Sequence, residues 1–182
     1  GHRVAVLYDV DGAGTLRVAG SAIESDAGGA GAGAIYIMDG DTPGSSSEGA
    51  RIDGEPGWYL GASLATTPDV TGDDVADLLF SASGKDSVGG GYLFSGSTLT
   101  DKARLEADAD AEVEIIGETA GSYWGSQIRL FDDLNGDGMP DLVISAPYST
   151  VGEWTTAGQV AMLEWTGESE LYVAEADTLW QG

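Results

Sequence analysis

The sequence predicts an all-β chain made of β-propeller blades, and three observations carry that expectation. A motif of fixed internal phase recurs three times in 182 residues, 29 glycines follow no collagen period, and helical periodicity is nearly absent. Many glycines between short apolar runs mean many tight turns between short strands. A motif that returns at a fixed interval means one structural unit used repeatedly.

The repeat is clearest from Gly125 through Asp133, Asn135, Gly136, Asp137, Gly138 and Asp141 into Leu142, Val143, Ile144, Ser145, Ala146 and Pro147. A second copy runs from Gly61 through Asp69, Thr71, Gly72, Asp73 and Asp77 into Leu78, Leu79, Phe80, Ser81, Ala82 and Ser83. The third and weakest opens the chain, from Gly1 through Asp9, Asp11 and Gly12 to Arg17. In all three the first aspartate follows the glycine by eight positions, and the copies lie 60 and 64 residues apart. Tyr59-Leu60-Gly61 matches Tyr123-Trp124-Gly125, and Ile52-Asp53-Gly54-Glu55 matches Ile115-Ile116-Gly117-Glu118. The repeats are therefore about 1–60, 61–124 and 125–182 of a single segment, 1–182.

Each repeat reads as four antiparallel strands bounded by turn residues. The first has Arg3–Leu7, Arg17–Gly20, Ala34–Met38 and Ala50–Asp53; the second has Ser63–Thr66, Leu78–Ala82, Gly91–Ser95 and Glu112–Ile116. In the third they are Gln127–Phe131, Asp141–Ala146, Gln159–Glu164 and Thr178–Trp180. The stretch Asp101–Glu114 has helix formers but no continuous apolar face, and it reads as a loop running into a strand. Gly28–Gly33 and Thr42–Gly49, rich in small residues, read as surface loops that do not pack. Four strands per unit with the same loop at the same phase indicate blades, whereas a sandwich has no need of that recurrence. Propellers close with about 4 to 8 blades. Three repeats, phased from Gly1 to a Gly182 that matches Gly54 and Gly117, are thus expected to be a piece of a longer protein or one protomer of a ring shared between chains.

Charge narrows the function. Thirty-one acidic against 7 basic side chains give a net charge of −24, which repels phosphate backbones and anionic lipid and favours cations. No nucleic acid and no membrane insertion are expected. No apolar run approaches the ~18 residues a spanning helix needs, and Gly1-His2-Arg3 starts no signal-like stretch. Without cysteine there is no disulfide, thiolate metal site or cysteine nucleophile, and the one histidine, His2, is poorly placed for a triad. Catalysis is not expected.

The loop from Asp133 to Asp141 puts oxygen donors at alternate positions: Asp133, Asn135, Asp137, the Met139 carbonyl and Asp141. Hard oxygen ligands in a tight loop, with Gly136 and Gly138 free to turn left-handed, select calcium first and magnesium second. Asp141 has no turn role in this reading, which favours a ligand over plain turn chemistry. An EF-hand would place a glutamate at position twelve, where Ile144 stands, and continue as a helix rather than a strand. The second loop offers Asp69, Thr71, Asp73, the Val75 carbonyl and Asp77, with Thr71 a weaker ligand and Asp74 where glycine is preferred. The first loop has Ala13 and Arg17 where the third has Asp137 and Asp141, so no ion is expected there. Arg17 either directs its charge to Asp9 and Asp11 or points to solvent.

These residues resemble a known family. Asp-x-Asn-Gly-Asp-Gly-x-x-Asp-Leu-x-Ile-Ser-Ala-Pro, with the upstream aromatic and glycine, is similar to the FG-GAP repeat of integrin alpha-subunit propellers and bacterial surface proteins. The resemblance implies a seven-bladed propeller with calcium loops on one face and ligand-meeting loops on the other. It implies calcium ligands at Asp133, Asn135, Asp137 and Asp141, then at Asp69, Thr71, Asp73 and Asp77. Ser145-Ala146-Pro147 and Ser81-Ala82-Ser83 depart from the family's Gly-Ala-Pro.

Of five tryptophans, Trp58 and Trp124 adjoin the phase glycines and read as packing between blades. Trp154, in Tyr148–Gly158, matches no aromatic in the other copies and is the candidate ligand contact. The glycines lack a strand-to-helix context and form no phosphate cradle. Two calcium ions would bring −24 only to −20, so most of the acidity is a solvated face or a surface for a basic partner. The expected function is a calcium-stabilised adhesion or recognition module at the cell surface or secreted, with a protein or glycan ligand. A propeller lectin is the alternative, and an enzyme on the same scaffold ranks below it.

Overall fold

The computed structural model describes residues 1–8, 16–39, 48–101 and 103–182. They form three sheets with few and short helices, an all-β architecture of blade-like units; no closed ring is present among the described residues. The first sheet holds β1 (Val4–Tyr8), β2 (Leu16–Ala22), β3 (Ala34–Asp39) and β4 (Glu48–Asp53). The second holds β5 (Leu60–Thr67), β6 (Asp77–Ala82) and β7 (Gly90–Phe94). Helix α1 (Thr98–Asp101), β8 (Arg104–Glu106) and helix α2 (Ala107–Asp110) then lead to its outer strand, β9 (Val113–Ile116). The third holds β10 (Gln127–Phe131), β11 (Asp141–Ala146) and β12 (Gln159–Glu164), followed by β13 (Glu170–Tyr172) and the outer β14 (Thr178–Gln181).

Within each sheet neighbouring strands pair antiparallel in sequence order. Two short strands leave their own sheet: β8 pairs in parallel with β4, and β13 with β9. Each fastens a unit to the outer edge of the one before it. Asp101–Glu114 runs into a strand as expected, β9 from Val113, but the part read as a loop contains β8 and α2, with Leu105 and Ala107 buried, because a three-residue strand is too short to show a period of two. β13 is equally short and shows no period of its own.

The core lies between sheets. Leu7, Ile35, Ile52, Phe80, Tyr92 and Phe94 fill the first interface; Leu79, Leu93, Ile115, Ile128, Leu142 and Ile144 fill the second. Alternate residues of β6 serve opposite cores, so all six are buried and Leu78-Leu79-Phe80 is apolar without alternation. A strand covered on both faces reads as a continuous apolar run. β10, with one face turned away from the second sheet, alternates.

Glycine makes the sheets' close approach feasible. A Cβ on Gly33 would stand 2.3 Å from the Leu60 nitrogen, and one on Gly89 2.3 Å from the Trp124 carbonyl oxygen. Gly28–Gly33 is therefore not the non-packing loop its composition suggests: Ala32 and Gly33 are buried, and Gly33 bridges Leu60 of the next unit. Trp58 and Trp124 are both buried at these junctions, as their phase indicates. Beside Trp58, buried Lys85 pairs with Asp108 at 2.6 Å and Glu114 at 3.0 Å and lies 4.5 Å from the indole centroid. Burial opposes its charge, but the two carboxylates prevail and hold its pKa above the usual value.

Candidate metal centre

The two aspartate loops join β5 to β6 and β10 to β11. Backbone amides explain their shape. The Asp69 carboxylate accepts from the N–H groups of Gly72 at 2.6 Å, Asp73 at 3.2 Å and Asp74 at 2.8 Å. Asp133 does the same for Gly136, Asp137 and Gly138. Gly72, Gly136 and Gly138 take φ of +85°, +88° and +91°, the left-handed backbone that the wrap requires.

Asp77 and Asp141, both fully buried, open β6 and β11. Asp77 accepts from the Val70 N–H at 2.9 Å, the Thr71 N–H at 3.2 Å, the Thr71 hydroxyl at 3.0 Å and the Gly96 N–H at 3.1 Å. Asp141 accepts from the Leu134 N–H at 2.5 Å and the Asn135 N–H at 3.2 Å. The expectation that Asp141 has no turn role is thus overturned: it caps the start of its own loop, as Asp77 caps the other. Asp73 accepts from the N–H groups of Val75 at 3.0 Å and Ser97 at 2.9 Å, and Asp137 from that of Met139 at 2.8 Å. The Gly96 and Ser97 amides come from the turn after β7, a contribution that no loop spacing announces.

In the second loop, Asp69, Asp73 and Asp77 each present an oxygen, and the three lie within 4.8 Å of one another. Among the described residues this is the one such group of acidic or imidazole side chains. Burial pushes the Asp77 carboxyl above the usual carboxylate range, and the Asp73 charge adds to the shift against the hydrogen bonds it accepts. Burial also acts on Asp73, but the hydrogen bonds from Ser97 and Val75 outweigh it and hold its carboxyl low. A trio of this kind, with Thr71 and the Val75 carbonyl beside it in sequence, has the donor set of a hard divalent cation.

Asp9, Asp11 and Ala13 of the first loop, and Thr42 to Ser47 of the other segment singled out above, lie outside the described residues.

Asp74 occupies φ +67°, where the third loop has Gly138. A non-glycine residue there carries a cost of roughly 1–2 kcal/mol. Asp74→Gly is expected to stabilise the protein by about 1 kcal/mol, a rise of roughly 2–4 °C in Tm on a thermal melt; an unchanged or lower Tm contradicts the strain.

At the opposite end of the same strands stand exposed aromatics. Tyr59 and Tyr123 precede β5 and β10, and Tyr148 meets Tyr123 edge-on at 5.6 Å between centroids. Trp154, in the connection from β11 to β12, is 75% exposed on a small bridge to Val151.

Residues 130–162 match the FG-GAP repeat, a stretch that spans the third aspartate loop and β11. The resemblance drawn from that loop is borne out there. No curated protein matches the chain.

Proposed function

We propose, with the FG-GAP repeat at residues 130–162 as the premise, that this chain is a calcium-binding, integrin-like propeller module for recognition or adhesion outside the cytoplasm. The convergence of Asp69, Asp73 and Asp77 within 4.8 Å carries the reading. Asp133, Asn135, Asp137, the Met139 carbonyl and Asp141 form the second site, and Thr71 and the Val75 carbonyl complete the first. Calcium offsets the repulsion among the gathered carboxylates and ties the strand ends together. Extracellular calcium, near millimolar, fills even weak sites, and each filled site stabilises the fold by roughly 1–3 kcal/mol at 10 to 100 times Kd. The module acts by binding rather than catalysis. Its ligand meets the end opposite the metal loops, where Trp154 and the tyrosines are exposed.

Thermal melts in millimolar calcium and in chelator test the metal sites. Calcium is expected to raise Tm by several degrees, and Asp73→Ala and Asp137→Ala each to remove about half of the rise. Identical melts in the two buffers, with no heat of calcium binding by calorimetry, would end this reading.

A further inference from the structure

Asn135 is the single asparagine among 182 residues, and a glycine follows it. The pair is exposed in the loop between β10 and β11, whereas the second loop has Thr71 and Gly72 at the same places. Asparagine amides are thermolabile. The side-chain carbonyl carbon is an electrophile, and the backbone nitrogen of the next residue is the nucleophile within closest reach. A side chain on that residue crowds the approach, and glycine has none.

The loop brings the two reacting atoms together. Asn135 Oδ1 accepts from the Asp137 N–H at 2.9 Å. A side-chain oxygen bonded to the amide two residues on curls over the peptide between them, which carries the Asn135 Cγ toward the Gly136 nitrogen. The same bond draws electron density away from Cγ. The Gly136 N–H donates to the Asp133 carboxylate, which pulls on the proton that ring closure must release. Nδ2, the departing nitrogen, is held only by a 3.4 Å bond to Asp141 Oδ1. A Cβ built on Gly136 would meet nothing within 4 Å, so water and a closing ring have room beside it.

We propose that Asn135 and Gly136 form a self-modification site, at which the loop converts its asparagine to isoaspartate or aspartate. The Gly136 nitrogen gives its proton to water and bonds to the Asn135 Cγ. The bond from Cγ to Nδ2 breaks, and Nδ2 takes up a proton and leaves as ammonia. Water then opens the succinimide so formed. Opening at the main-chain carbonyl leaves isoaspartate, with the chain now routed through Cγ, and opening at the side-chain carbonyl leaves aspartate. Water enters, ammonia departs, and nothing is oxidised or reduced. Isoaspartate lengthens the main chain by a methylene, so the N–H groups of Gly136, Asp137 and Gly138 no longer meet Asp133 together. Aspartate keeps the chain path and adds a carboxylate to those of Asp133, Asp137 and Asp141. The effect on calcium rests on the function proposed above: the isoaspartate form loses this site, the aspartate form binds more tightly, and the second loop, with Thr71, keeps its own ion in both.

The test incubates the full chain, shown folded by circular dichroism, in neutral buffer without added calcium, beside a synthetic peptide of residues 130–140. Cleavage before aspartate releases residues 133–136 from both. Isoaspartate gives that fragment the amide-to-acid mass gain and leaves it whole, whereas aspartate lets it be cut again before residue 135. The folded chain is expected to lose Asn135 at a rate within tenfold of the peptide's, with isoaspartate the main product. Asn135→Gln should abolish the gain, because the longer side chain closes its ring far more slowly. A rate more than tenfold below the peptide's would overturn the proposal, as would a mass gain confined to Gln127, Gln159 or Gln181. Calcium calorimetry keeps the two readings apart. One ion fewer per chain in the isoaspartate form supports both, while modification at the expected rate with no calcium heat in the fresh chain supports the site and overturns the metal reading alone.

Discussion

Gly89→Ala is expected to lower stability by more than about 4 kcal/mol and to separate the second and third sheets. The added methyl would lie 2.3 Å from the Trp124 oxygen and 2.7 Å from the Ser83 oxygen, both backbone atoms that no rotamer change can move. The residue also sits at φ +84°. Gly72→Ala separates the two contributions, since Gly72 has φ +85° but open space where its Cβ would stand. Its cost should be only the roughly 1–2 kcal/mol of left-handed backbone. Urea denaturation of both variants measures the difference. Equal losses would mean that the contact between sheets has slack the geometry does not suggest.

Asp77→Ala is expected to cost about 3 kcal/mol or more even in chelator, because the N–H groups of Val70, Thr71 and Gly96 lose their acceptor. In millimolar calcium the loss should grow by roughly another 1–3 kcal/mol as the ion's contribution disappears. Urea denaturation in the two buffers reads the two parts separately. A loss confined to calcium buffer would make Asp77 a ligand with no role in the turn; a loss equal in both buffers would make it a turn residue alone. Asp77 lies in the loop whose carboxylates converge, so it is the position where both roles are expected to meet.

Twelve of the fourteen strands among the described residues were legible in the sequence, some by alternation and β6 as an apolar run, with most ends displaced by a few residues. β12 spans the residues its pattern indicates, because Gln159 to Glu164 lies between clear turn signals. β5 begins earlier than Ser63, at Leu60, since the irregular register between Leu60 and Leu64 interrupts the alternation that marks a strand. β8 and β13 were invisible because pairing with another sheet, not local pattern, makes them strands. Of the candidate site, the loop aspartates and their left-handed glycines were legible from spacing. The amides of Gly96 and Ser97 were not, as they reach the loop through tertiary structure alone. Lys85 likewise gave no sign of its two carboxylates, which arrive from α2 and β9.

The complete burial of β6 has a bearing on how the chain unfolds. Its residues belong to two cores at once, so the middle sheet has no hydrophobic interior of its own and derives its stability from its neighbours. In such a linear array, stability is a sum of nearest-neighbour couplings more than of independent domains. Loss of an outer sheet exposes one face of the middle one and weakens what remains, so melting should advance inward from the ends.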